Sequence, residues 1–191
     1  MRPETIAKLH DRPVSVINRP LRESEWDMVR AFVRRLERED LRMRFGHPLD
    51  FQDEATARRA FDIKAEVGEI SWLLDERAAI AGLAHRIMIS RSEAEAGLIV
   101  RSDLKRTGIG ECLLRKMLAR SAQQGLKSLS GSVLWDNRAM LRLATKIGYE
   151  PRGIGAYTVE LAFDVGRTTT VRQPKQATKP ARTVSKNTVA A

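Results

Sequence analysis

Apolar residues recur along this chain at two different periods, and the changes of period mark out its elements. Trp26, Val29, Phe32, Val33 and Leu36 fall at helical spacing, which predicts an amphipathic helix. Ser24 stands three residues ahead of Asp27, so a capping box is expected to open it. Residues 41–45 extend into a second short helix that Gly46-His-Pro48 breaks, and residues 53–61 into a third with a thin apolar face. Ahead of these, Val14-Ser-Val-Ile-Asn18 reads as a strand ended by Arg19-Pro20. From residue 69 the texture turns to strands: 70–75, a turn at Glu76-Arg77, then 78–89 and 95–101. The centre of the last, Gly-Leu-Ile-Val, is apolar throughout and therefore expected to be buried on both faces.

A second strong helix follows Leu104-Lys-Arg-Thr-Gly-Ile-Gly110. Leu113, Leu114, Met117, Leu118, Ser121 and Ala122 share one face, and Glu111, Arg115, Lys116 and Arg120 the other, until Gly125 stops it. Residues 126–134 form the next strand, and Asp136-Asn137 open a helix with Met140, Leu143, Ala144 and Ile147 on one stripe, ended by Gly148. Residues 157–163 supply a final strand. The order β-α-α-β-β-β-α-β-α-β, with no internal repeat, predicts one mixed α/β domain over residues 14–164. Residues 1–13 precede it as an N-terminal extension.

Composition narrows the class. At 42% hydrophobic and 30% charged residues, the chain is neither collagen-like, coiled-coil nor wholly disordered. No apolar run approaches the roughly 18 residues of a membrane span, and the N-terminus lacks a signal-peptide core. A soluble, cytoplasmic protein without a membrane partner is expected. The single cysteine, Cys112, excludes an internal disulfide framework and a multi-cysteine zinc cage, and suits a reducing compartment. No metal is expected. The net charge of +10 is misleading about the domain, because residues 165–191 hold six Lys or Arg and no acid. That segment has no aromatic residue, Leu, Ile or Met, too little to offset its ordering entropy, and reads as a disordered basic tail. Nucleic acid is thus not an expected partner, except through that tail.

Candidate chemistry begins at the strand–turn–helix around Lys105-Arg-Thr-Gly-Ile-Gly110. Glycines allow the tight turn that points the first free helix N–H groups at an anion, and Lys105 and Arg106 add positive charge. Many such turns bind nothing, so packing and phosphate binding are both open readings. A dinucleotide fingerprint is disfavoured because its third glycine position is Leu113, and no P-loop string exists.

Val100-Arg-Ser-Asp-Leu-Lys-Arg-Thr-Gly-Ile-Gly110 resembles motif A of the GNAT acetyltransferases, with Lys105 where that family carries Gln or Arg. Asn137-Arg-Ala-Met-Leu-Arg-Leu-Ala-Thr-Lys-Ile-Gly-Tyr149 resembles the family's second conserved segment. The resemblance implies a mixed central β-sheet flanked by helices and acetyl-CoA as cosubstrate. It also implies that backbone N–H groups of Lys105, Arg106, Thr107, Gly108, Ile109 and Gly110 hold the pyrophosphate. A narrower resemblance, carried by residues 32–45, 100–105 and 133–141, is to the acetyltransferase domain of Pat-type bacterial protein lysine acetyltransferases. It implies a protein lysine as acceptor, with acyl-CoA synthetases as candidate substrates.

Acetyl transfer to an amine requires that an ammonium lose its proton, an oxyanion be stabilised and a thiolate leave. Glu95 matches the strand-borne glutamate proposed as base in Pat-type enzymes, and burial beside Leu98 and Ile99 is expected to raise its pKa. Glu93 is the rival, one alternation earlier, and the bland reading is a solvated strand-end charge. The family implies the backbone N–H near Val100 as oxyanion donor. The tyrosine that many GNAT enzymes place four residues before the helix-ending glycine is Ala144 here, while Tyr149 takes a packing position. Asn137 either caps its helix or contacts CoA. Cys112 reads as core. His10, His47 and His85 show no ligand spacing; His85 reads as satisfied or surface, with the acceptor cleft as alternative. Arg42 and Arg44 read as a solvated helical face, with the acceptor wall as alternative; Trp26, Trp72 and Trp135 read as core or rim. The alternative functions are a small-molecule amine or protein N-terminal acetyltransferase, a non-catalytic acyl-CoA sensor, and a tail whose Lys175, Lys179 and Lys186 meet nucleic acid or are self-acetylated. The oligomeric state is not encoded in any of these features.

Overall fold

The computed structural model describes residues 6–9, 12–18, 22–47, 53–61, 68–74 and 79–165. His10, the Glu76-Arg77 turn and the basic tail beyond residue 165 lie outside the described residues. Eight strands form one sheet in the order β1-β2-β3-β4-β5-β6-β8-β7. They are β1 (Ile6–Leu9), β2 (Arg12–Asn18), β3 (Gly68–Leu74), β4 (Ile80–Met88), β5 (Glu93–Val100), β6 (Ser128–Leu134), β7 (Glu150–Ile154) and β8 (Thr158–Asp164). Every pairing is antiparallel except β5 with β6. Among the described residues five α-helices accompany the sheet: α1 (Trp26–Val33), α2 (Arg38–Phe45), α3 (Glu54–Phe61), α4 (Ile109–Gln123) and α5 (Arg138–Lys146).

Each face of the sheet carries its own apolar cluster. Helix α4 covers one face, inserting Ile109, Leu113, Leu114, Met117 and Leu118 against Ala84, Ala94 and Leu129. This is the stripe read from the sequence except for Ala122, which is exposed, and each fully buried leucine contributes about 2 kcal/mol of transfer free energy. On the other face Trp26, Val29 and Phe32 of α1, Leu41 of α2 and Phe61 of α3 meet Ile80, Leu83 and Ile99. Phe61 receives Phe32 and Phe45 edge-on, with ring centroids 6.2 and 5.8 Å away. The thin apolar face of α3 therefore suffices, because two residues, Ala57 and Phe61, carry its burial.

Several local expectations need correction. The capping box at Ser24 does not form, because a 3-10 turn over Glu23–Glu25 makes Glu25 the first cap and leaves α1 without a side-chain cap. Glu25 instead accepts the N–H of Arg22 at 2.8 Å. Strands β1 and β7 are additions to the expected order. Both are sheet edges, where β7 tolerates Pro151 and Gly153 across a register shift. Glycines at the predicted stops behave as expected: Gly46, Gly125 and Gly148 all have positive φ, the left-handed turn that ends a helix.

Candidate active site

The parallel pair at the centre of the sheet comes apart. Strands β5 and β6 are in register only from Glu93↔Ser128 to Glu95↔Ser130, although β5 runs on to Val100 and β6 to Leu134. On its other side β5 stays paired to β4 without a shift, and the N–H of Arg101 bonds the carbonyl of Ala81 at 2.9 Å. The alternation of an antiparallel ladder then turns the N–H and C=O groups of Ala96, Leu98 and Val100 away from β4, toward the gap. The opposite bank is Ser130, Gly131, Ser132 and Val133. Between them opens a cleft of about 1210 Å³, above the roughly 300–1,000 Å³ of most small-molecule pockets and suited to a long ligand.

The mouth of the cleft is the glycine turn. Gly108, with φ 90°, caps α4 without a side-chain bond, and the first intrahelical bond runs from the N–H of Cys112 to Gly108. The N–H groups of Ile109, Gly110 and Glu111 thus lack helical acceptors, as at any helix start. The Thr107 hydroxyl donates to the carbonyl of Leu104 at 2.6 Å and braces the turn, while Arg106 adopts φ 61°. A Cβ on Gly110 would meet Leu98 and Leu143 at 3.4 Å, so glycine lets α4, α5 and β5 close around the turn. The positive charge expected of Lys105 is partly spent: its ammonium pairs with the buried Asp40 of α2, which also accepts the Ser102 hydroxyl. Asn137 lines the same cleft and caps α5, accepting the N–H of Met140 at 3.1 Å. Lys146 and Arg115 hold Glu111 in ion pairs at 2.6 and 2.9 Å and depress its carboxyl pKa.

At the closed end stand the residues proposed for chemistry. Glu95 occupies the last paired rung, but it is exposed, so the burial expected beside Leu98 and Ile99 is absent. Those neighbours point elsewhere: Ile99 is two rungs along the same face and Leu98 is on the opposite one. Glu93 is also exposed, two residues farther from the fork. Ala144, four residues before the helix-ending Gly148, is buried in the α4 face cluster. Tyr149 packs as expected, its ring 5.3 Å from that of Phe163. Its hydroxyl, however, is buried and has no partner among the described residues, and burial raises its pKa. Cys112 packs against the core, and burial raises its thiol pKa.

The expectation of a solvated α2 face holds for Arg42 and fails for Arg44. Arg42 bridges Glu39 on its own helix and Asp136 before α5, both at 2.6 Å, which raises its pKa. Arg44 turns inward instead. Its Nη2 lies 2.6 Å from Nε2 of His85, a buried β4 residue, and its guanidinium sits 4.9 Å over the Phe45 ring. Burial, then the charge of Arg44, pulls the His85 pKa down to about 3, so the ring is neutral and Nε2 accepts. Burial likewise lowers Arg44, to about 10, against an opposing effect of Glu95. His85 is therefore satisfied, on the face that carries Glu95. His47 is exposed; Trp26 is core and Trp135 is half-exposed at the surface.

Residues 16–150 match the family model for the acetyltransferase (GNAT) domain. The chain belongs to the GNAT acetyltransferase family. It is an N-acetyltransferase, and enzymes of this family use acetyl-CoA. Among solved structures, it is similar to the GNAT domain of Streptomyces lividans PAT, at TM-score 0.73 and 19% identity, covering 82% of this chain and 93% of that one. It is also similar to spermidine N-acetyltransferase from Vibrio cholerae, solved with CoA and spermine. There the TM-score is 0.65 and the identity 15%, over 81% of this chain and 98% of that one. A third likeness is to the ribosomal-protein-S18-alanine N-acetyltransferase of Escherichia coli, at TM-score 0.59 and 16% identity, over 78% and 94%. At these identities the likenesses establish a GNAT fold. They span protein and small-molecule acetyltransferases and do not choose the acceptor. No helix among the described residues of this GNAT chain is long and apolar enough to cross a membrane.

Proposed function

We propose that this GNAT enzyme transfers an acetyl group from acetyl-CoA to a protein lysine, with Glu95 as the base. The observation that carries the reading is the parting of β5 from β6 just beyond Glu95. It leaves a strand edge free to pair with the amides of an extended arm, as an added strand would. The glycine turn at its open end supplies free N–H groups to an anion. The pyrophosphate would meet the N–H groups from Lys105 to Gly110, with Asn137 on the opposite bank, and the thioester would lie toward the fork. The acceptor nitrogen attacks the thioester carbon, the N–C bond forms, and the C–S bond breaks with its pair leaving on sulfur. The amine proton passes to Glu95 directly or through one water, and a β5 N–H turned into the gap nearer the fork than Val100, that of Leu98, is the oxyanion donor.

Glu95 fits the base better than Glu93 because it stands at the rung where the cleft begins. An exposed carboxylate also suits the large, solvent-borne amine of a protein. The resemblance of residues 32–45, 100–105 and 133–141 to Pat-type protein lysine acetyltransferases supports a lysine acceptor, with acyl-CoA synthetases as candidate substrates. The single cysteine suits a cytoplasmic enzyme. The test has two stages: calorimetric titration with acetyl-CoA, free CoA and NAD, then intact-mass screening of acyl-CoA synthetases for acetyl addition. Binding of both CoA forms without NAD supports the donor site, and acetylation supports the lysine acceptor. Binding with turnover only on small amines overturns the lysine reading.

A further inference from the structure

The guanidinium of Arg44 is a partly buried positive charge without a counter-ion. Among the described residues no carboxylate stands within 4.0 Å of it, and its one polar partner is the neutral His85. Charges taken from water are ordinarily paired. Here the sequence spends a special residue to admit one: a Cβ on Gly97 would come within 2.0 Å of Arg44 Nη2 and 2.5 Å of its Cζ. Glycine inside a strand marks such a close approach. With the β5 backbone on one side and the Phe45 ring on another, Nη2 is spent on His85, while Nε and Nη1 have no acceptor among the described residues.

Arg44 and Gly97 both line the cleft. Glu95 lies two residues from Gly97 on the same face of β5, and Glu95 and Arg44 interact electrostatically without forming an ion pair. Two residues of strand span roughly 6–7 Å. The face thus presents a carboxylate and a guanidinium side by side, each free to take a separate partner.

We infer that Arg44 binds a carboxylate carried by the acceptor, so that the substrates are amines bearing an acidic group close to the reacting nitrogen. This rests on the acetyl-transfer reading and specifies its acceptor. The amine meets Glu95 and the carboxylate completes Arg44 as a forked, charge-assisted pair. An amine without that group would bring its ammonium toward an uncompensated like charge, which opposes binding. A lysine beside Asp or Glu and a free amino acid share this chemistry.

The test compares acceptors that differ only in the carboxylate, using the full chain. Lysine peptides with a neighbouring Glu or Gln, and an amino acid and its amide, are assayed at saturating acetyl-CoA for kcat and KM. The acetylated acid and amide are titrated calorimetrically into the protein with CoA, which reads recognition without turnover. The acids are expected to win by about tenfold to a hundredfold, mainly in KM and in product affinity, as for one charge-assisted bond. In Arg44→Gln that ratio should fall to near one. Gly97→Ala, which keeps the arginine but removes its seat, should do the same and guards against a variant that fails to fold. Equal binding of acid and amide overturns the inference, as does a preference that survives both variants. An Arg44-dependent preference for succinyl-CoA over acetyl-CoA would put the carboxylate on the acyl group and overturn the acceptor assignment. Selective binding of the acid product with no turnover on any amine would sink the transfer reading and leave the carboxylate site standing.

Discussion

Tyr149→Phe removes one oxygen from the wall of the cleft, and its effect can be worked from the structure. The Tyr149 hydroxyl is buried with no protein partner. A buried donor left unsatisfied costs about 1–3 kcal/mol. Deleting the oxygen vacates roughly 10–15 Å³, which at about 24 cal/mol per Å³ costs only about 0.3 kcal/mol. The ring itself stays against Phe163. The free enzyme should therefore gain about 1 kcal/mol or more, which for a chain of this size raises Tm by about 2–4 °C per kcal/mol. Tyr149 stands on the cleft wall but its hydroxyl is sealed from solvent, so acetyl-CoA affinity should change little. Thermal denaturation by circular dichroism, with and without acetyl-CoA, reads both effects. A Tm that falls by more than about 2 °C in the free enzyme would refute the reasoning, because the hydroxyl would then already be satisfied.

Three further outcomes follow from the site. Glu95→Gln should lower kcat by about 10²–10⁴-fold while calorimetry finds acetyl-CoA affinity preserved, since Glu95 does not line the donor cleft; unchanged turnover removes it as base. His85 is held neutral with a folded pKa of about 3 against an ordinary 6.5. The unfolded chain thus binds the extra proton, and stability is full above about pH 6.5 and is lost as pH falls from there toward 3. Urea unfolding across that range should show the slope in the wild type and much less of it in His85→Gln. Asn137→Ala removes the α5 cap and should cost about 1 kcal/mol in the same unfolding assay; no loss would mean that the Met140 N–H finds another acceptor.

Much of this fold is legible because its signals are local. The α4 and α5 stripes, the glycine stops and the motif A turn each depend on spacing within one element, and the structure keeps them. Edge strands are harder: Glu150-Pro-Arg-Gly-Ile154 carries two residues that argue against a strand, and only pairing with β8 makes it one. Glu95 was expected to be buried because Leu98 and Ile99 follow it. In the sheet, though, burial depends on which helices cover that rung, and α1 to α3 pack against Leu83 and Ile99 rather than Glu95.

Arg44 shows the same limit more sharply. Helix α2, Arg-Glu-Asp-Leu-Arg-Met-Arg-Phe, has five charged residues in eight, and its periodicity cannot say which arginine turns inward. Arg42 and Arg44 sit 200° apart around the helix, so solvent and cleft take one each. The signal that distinguishes them lies more than fifty residues away, in Gly97, the one position of an apolar strand that gives up its side chain. Read alone, Gly97 belongs to a buried run; read against α2, it is the seat of a cation. The neutral His85 accepts one N–H of that cation and supplies it no counter-charge. A helix, a glycine and a histidine thus shape the proposed acceptor side of the cleft, whereas the glycine turn shapes the proposed donor side within one continuous segment. That difference in range is why the turn proposed for the donor is legible in the sequence, whereas the seat proposed for the acceptor becomes legible only in the fold.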